Sequence, residues 1–136
     1  MLVKLGMWLL GLVYLAWGVP AIVAPRWFFD HFPGLGQHWT AGYPPYNEHL
    51  MTDVGVAATT LGGLLIAAAI IGEHKVTVVV LAAVAFYEGI HLVYHLVHHG
   101  SLTDLSVGLS LASLIAGVLF LLALLVADCI RHRRGV

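Results

Sequence analysis

The chain has 136 residues, 60% of them hydrophobic and only 10% Asp, Glu, Lys or Arg, with a formal net charge of −1. A soluble domain carries about 25% charged residues, so the composition excludes a water-soluble domain, and the length leaves room for one domain only. The near-neutral charge offers no basic field to nucleic acid, and the lone cysteine, Cys129, excludes an internal disulfide and a CxxC metal site.

A helix that crosses the ~30 Å hydrocarbon core needs roughly 20 apolar residues. The first such stretch is 2–24, closed by Pro25 and Arg26. Its apolar run is long for a secretory signal, and Pro25 would follow directly on the best cleavage site, so it reads as a retained helix. The connection 25–47, "PRWFFDHFPGLGQHWTAGYPPYN", is rich in rings that favour the lipid–water interface. It reads as a loop or short helix on the outer surface, or as a lid over a site beneath it. The second stretch is 48–71. Pro44 and Pro45 cannot continue a helix backwards, and Asn47 is a good N-cap. Gly55, Ala57, Gly62 and Gly63 suit close helix packing. "GEHK" reads as a tight polar turn before the third stretch, 76–98. Gly100 ends that helix, and Ser101 with Asp104 resembles a capping box for the fourth stretch, 102–130.

The expected fold is therefore all-α: one four-transmembrane-helix bundle in a single domain, 1–136, multi-pass in the cell membrane. Lys4, Lys75, Arg131, Arg133 and Arg134 fall on one side and only Arg26 on the other. The positive-inside rule then makes both termini cytoplasmic and turns the aromatic connection outward.

Histidine is the outlier, with nine residues against six Lys and Arg together. His31, His38, His49, His91, His95, His98 and His99 all fall on the outward side, leaving His74 and His132 on the other. In "YEGIHLVYHLVHHG" the residues Glu88, His91, His95, His98 and His99 occupy one stripe about 100° wide on the third helix. Glu88 lies ~16 Å below His99, near mid-membrane. On the second helix His49 and Asp53 share a face, with Asp53 at about the depth of His95. Ionisable groups this deep cost at least ~2.5–3.5 kcal/mol each, so they must pair, bind an ion or line a wet cavity. Each also has a structural role open to it. His98, His99, His31 and His38 can be interface or loop residues, and Glu48 and Asp104 can serve helix starts. His91, His95, Asp53 and Glu88 can form a hydrogen-bonded polar core. Tyr87 and Tyr94 flank the stripe and can donate to it or anchor the interface.

Imidazole and carboxylate together ligate transition metals. The expected metal site is His49, Asp53, His91 and His95, with Glu88 as a further ligand or catalytic base and Glu48, His98 and His99 as additional candidates. The ion would be Zn, Fe or Cu, and the chemistry redox or hydrolytic on a membrane-soluble substrate. "HLVYH" and "HLVHH" share the spacing of membrane desaturase histidine boxes, but they overlap and no second HxxHH follows. "EGIH" is an ExxH without the partner that a dinuclear site needs. A haem b needs two histidines on facing helices, and His49 with His95 or His98 would meet that, with Asp53 an awkward neighbour. The metal-free rival is a proton relay through Glu88, His91, His95 and His99. "VTVVVLAAVAF" offers no polar continuation towards the cytoplasm.

The first span, "LGLVYLAWGVPAIVAPRWFF", with its Leu-Gly pair, Gly18 a half-span later and Pro25 at the exit, resembles the DoxX-like group of small four-helix membrane proteins. The resemblance implies a four-helix bundle, and some relatives serve as membrane subunits of quinone-linked redox enzymes. It carries no site residue over to this chain. The expected partners are the lipid bilayer and a membrane protein or a second copy. A non-enzymatic accessory subunit of a larger membrane complex is the alternative to an enzyme.

Overall fold

The computed structural model describes residues 1–135. In chain order the elements are α1 (Leu2–Val23), α2 (Pro25–His31), the strands β1 (Pro33–Gly34) and β2 (Gln37–His38), a 3-10 turn (Thr40–Gly42), then α3 (Glu48–Ile71), α4 (His74–Val97) and α5 (Asp104–Arg133). Helices α1, α3, α4 and α5 are long and apolar enough to cross a membrane, which makes this a multi-pass membrane protein. The 25–47 connection carries its own structure: the short helix α2, an antiparallel two-residue ladder and the 3-10 turn.

Helix α1 packs most intimately on α3, and α4 on α5; contacts between these two pairs are sparser. The first pairing follows from glycine at seven-residue spacing. Gly11 and Gly18 on α1 face Gly62 and Gly55 on α3. A Cβ on Gly62 would stand 2.8 Å from the Gly11 carbonyl oxygen, and one on Gly55 2.8 Å from that of Gly18. The two backbones are therefore in contact, which only the absence of side chains permits. At the end that holds both termini, a Cβ on Gly6 would strike Leu124 of α5, so the bundle closes there between α1 and α5.

One buried apolar cluster fills the bundle, with Met7, Tyr14, Leu65, Leu81, Val84 and Leu121 at its centre. A second, built on Ala21, Phe28, Phe29 and Met51, seats the connection on the loop end of α1 and α3. Stacking of Trp17, Phe28 and Phe32 extends it.

Two helix starts differ from the sequence reading. "GEHK" is not all turn: Gly72, in the left-handed conformation at φ 72°, ends α3, and His74 already belongs to α4. Only glycine adopts that conformation freely, so reversal takes two residues. Asn47 caps α3 as expected, accepting from the Leu50 N–H at 3.0 Å. Helix α5, in contrast, begins at Asp104 with Thr103 as its cap, not Ser101. Ser101 is occupied elsewhere: its N–H and its hydroxyl both donate to the Gly42 carbonyl and tie the α4–α5 turn to the connection.

Candidate functional site

Glu88, His91 and His95 recur every three or four residues on α4, so helical geometry alone stacks them on one face. That face looks into the bundle. Glu88 is 8% exposed although it lies in the middle of an apolar helix. Its Oε1 accepts a hydrogen bond from the Tyr14 hydroxyl of α1. Its Oε2 lies 3.7 Å from His91 Nδ1. His91 Nε2 and His95 Nε2 are 3.0 Å apart, and His95 Nδ1 is 3.0 Å from the hydroxyl of Tyr43, which the connection lowers onto α4. The Tyr43 hydroxyl also reaches the His98 carbonyl at 2.7 Å. The chain Tyr14–Glu88–His91–His95–Tyr43 thus runs from mid-bundle to the loop end.

The carbonyl of His98 fixes the donor order from Tyr43 inward to His91. A carbonyl only accepts, so Tyr43 donates its hydrogen to His98. Burial raises the Tyr43 phenol above its ordinary value, with Tyr94 adding to the effect, so it stays a hydroxyl. His95 Nδ1–H then donates to the Tyr43 oxygen. Neutral His95 is left with a lone pair on Nε2, which accepts from His91 Nε2–H. His91 Nδ1 is then left facing Glu88 Oε2 at 3.7 Å, too far for a direct hydrogen bond.

The remaining expected ligands lie outside this chain. His49 and Asp53 pair with each other at 3.4 Å, with side chains 88% and 59% exposed. The reason is rotational: α3 turns its small-residue stripe to α1, and that orientation carries His49 and Asp53 outward. Glu48 is an exposed first-turn residue of α3. His98 donates from Nδ1 to the Tyr94 carbonyl and stacks on the Tyr94 ring at 4.3 Å, while His99 is exposed. Among the described residues no group of three or more His, Cys, Asp or Glu side chains is arranged to hold a metal ion. The expected four-ligand set of His49, Asp53, His91 and His95 is therefore not assembled, although His91 and His95 do meet.

A second polar cluster, at the opposite end, has no counterpart in the sequence reading. Asp128 of α5 is 0% exposed. Its Oδ2 pairs with His74 Nδ1 at 2.6 Å, and its Oδ1 accepts from Arg131 at 2.7 Å. His132 stacks flat on His74, 3.8 Å between centroids.

The chain matches no protein-family model, no curated protein and no solved structure.

Tyr14, Tyr43 and Asp128 are the residues that sequence reasoning missed. Tyr14 and Tyr43 carry no local signal, since their partners lie 74 and 52 residues away. Asp128 did carry one. It follows Leu121 and Leu124 at helical spacing on a single stripe of α5, a carboxylate inside an apolar run.

Proposed function

We propose that this protein is a cell-membrane bundle, termini in the cytoplasm, whose outer half relays protons between the outer surface and the buried carboxyl of Glu88. The supporting observation is the row of exchangeable groups on one face: Tyr43, His95 and His91 within hydrogen-bond reach of one another, and Glu88 3.7 Å beyond His91, a gap that one small movement or a water would close. An imidazole can accept a proton on one nitrogen and release another from the opposite nitrogen, so rings in nitrogen-to-nitrogen contact, as His91 and His95 are, can pass protons along the row. The orientation rests on the Lys and Arg bias described above. A carboxyl at this depth serves a partner subunit or a membrane-soluble substrate that exchanges protons in mid-membrane. An accessory role beside a quinone-linked enzyme, as the first span's resemblance implies, fits that position.

The test is infrared titration of the Glu88 carboxyl in oriented vesicles, with Glu88→Gln identifying its band. The band should respond to outer pH within the mixing time. In a His91→Phe, His95→Phe double variant the response should slow several-fold. An unchanged response in the double variant would remove the relay.

One observation favours metal binding as a second reading. Two nitrogens bound at about 2.0–2.1 Å to one ion of square-planar or octahedral geometry stand about 3 Å apart, against about 3.3 Å for a tetrahedral ion, and His91 Nε2 and His95 Nε2 are 3.0 Å apart. Their Nδ1 atoms face Glu88 and Tyr43, the kind of partner that orients metal-bound imidazoles. Zn, Fe or Cu present in stoichiometric amount by elemental analysis, and lost in His91→Ala, His95→Ala, would support this reading over the relay.

A further inference from the structure

The inward face of α4 has a simple register. Residues 74, 77, 81, 84, 88, 91 and 95 recur at alternating steps of three and four, so they form one stripe along the whole helix. Read from the terminal end, the stripe is His, Thr, Leu, Val, Glu, His, His. It is polar at both ends and apolar only at Leu81 and Val84, both 0% exposed. Around them pack Met7 of α1, Leu65 of α3 and Leu121 of α5, each at most 1% exposed. The polar ends are each anchored on a buried carboxylate, Glu88 on one side and Asp128 on the other. By helical rise, His74 and Glu88 are ~21 Å apart.

We infer that His74 and Asp128 form a second proton-exchange site, open to the terminal side, and that Leu81 and Val84 seal it from the Glu88 chain. Asp128 has no use in the outer relay, yet it is fully buried at the terminal end of the bundle and held there by two partners. A buried ion pair is a weak source of stability, so its retention calls for another role. The groups that face it are Arg131 and His132 from α5 and His74 from α4; Lys4 of α1 stands beside Gly72 at the same end. Arg131 neutralises the carboxylate. His74 is partly exposed and joins Asp128 to the surface, so it is the group through which protons enter. His132 stacks face to face on His74, 3.8 Å between centroids, and covers one side of its ring. Inward from His74, Thr77 is the last polar residue before the seal. The protein is then an insulated pair of half-paths: each leaflet has its own access to a buried acid, and nothing crosses unless the seal is altered.

That a leak would connect to the outer surface rests on the relay proposed above; the inner site and the seal do not. Two experiments test the inference. In vesicles sorted for one orientation, the His74 imidazole resonance, assigned with His74→Gln, should shift with pH on the terminal side and ignore pH on the loop side. A response to loop-side pH refutes the seal, and a response to neither refutes the site. Secondly, wild-type vesicles should be as proton-tight as protein-free ones. A folded Leu81→Ser, Val84→Ser variant should leak several-fold faster, and adding Asp128→Asn should abolish the leak. No leak from the folded variant refutes the seal. A leak lost with Asp128→Asn but kept with Glu88→Gln upholds the inner site and counts against the outer relay alone. If the double serine variant does not fold, the resonance measurement decides.

Discussion

Glu88 shows how a single residue is tolerated where lipid would reject it. Its two oxygens face different elements, Tyr14 of α1 and His91 of its own helix. Removing the tyrosine hydroxyl leaves a buried acceptor without its donor, at a cost of about 1–3 kcal/mol. Tyr14→Phe should therefore lower the thermal midpoint in detergent, and Glu88→Gln in the same background should recover part of the loss, because a neutral amide needs less compensation. Stability unchanged in Tyr14→Phe would mean that the pair does not form. The α4 stripe was legible from sequence because a helix fixes which of its own residues share a face. Tyr14 and Tyr43 were not, because no periodicity links a residue to a partner on another element. The Tyr43 contact also shows that the connection is part of the site and not only an interfacial anchor.

At the scale of helices, rotation about the axis decides which side chains meet. The contact of α1 with α3 is made of backbone at Gly11, Gly18, Gly55 and Gly62. Gly62→Leu would drive a side chain into the Gly11 carbonyl and Tyr14, and overpacking of a tight core typically costs about 1–3 kcal/mol. The expected result is weaker cross-linking between one cysteine on α1 and one on α3 placed a turn away from this contact, together with a lower thermal midpoint. The same rotation explains His49 and Asp53. Sequence spacing put them on one face of α3, and they do share one, but the glycine stripe claims the inward face. An exposed ion pair is worth about 0.2–1 kcal/mol, so His49→Ala and Asp53→Ala should each change stability by no more than that and leave proton exchange at Glu88 untouched. A large loss of exchange in either variant would restore them to the site.

Across the whole molecule, the bundle is two tightly packed pairs held together by a shared core and by the Tyr14–Glu88 bond. Its two ends differ in kind: imidazole and tyrosine at the loop end, carboxylate with arginine and stacked histidines at the terminal end. Orientation in the membrane can be read with cysteine probes in a Cys129→Ser background. Leu35→Cys, at the fully exposed tip of the short hairpin, should be labelled by an impermeant reagent added outside cells. Lys75→Cys should be labelled only after permeabilisation. The reverse pattern would invert the assignment of the two half-paths.

Much of this protein could be read from its residues in order. Composition set the membrane class, apolar runs set the spans to within a few residues, and the helical period set the stripe of Glu88, His91 and His95. These are local properties, carried by spacing along one helix and by transfer energies of single residues. What only the tertiary structure decided was which faces meet. The seating of α3 on α1 left His49 and Asp53 exposed and paired with each other, the fold of the connection delivered Tyr43, and the closure of α4 on α5 buried Asp128 against His74. Such choices depend on how close two backbones can approach, and that is a property of pairs of surfaces, written in neither sequence segment alone.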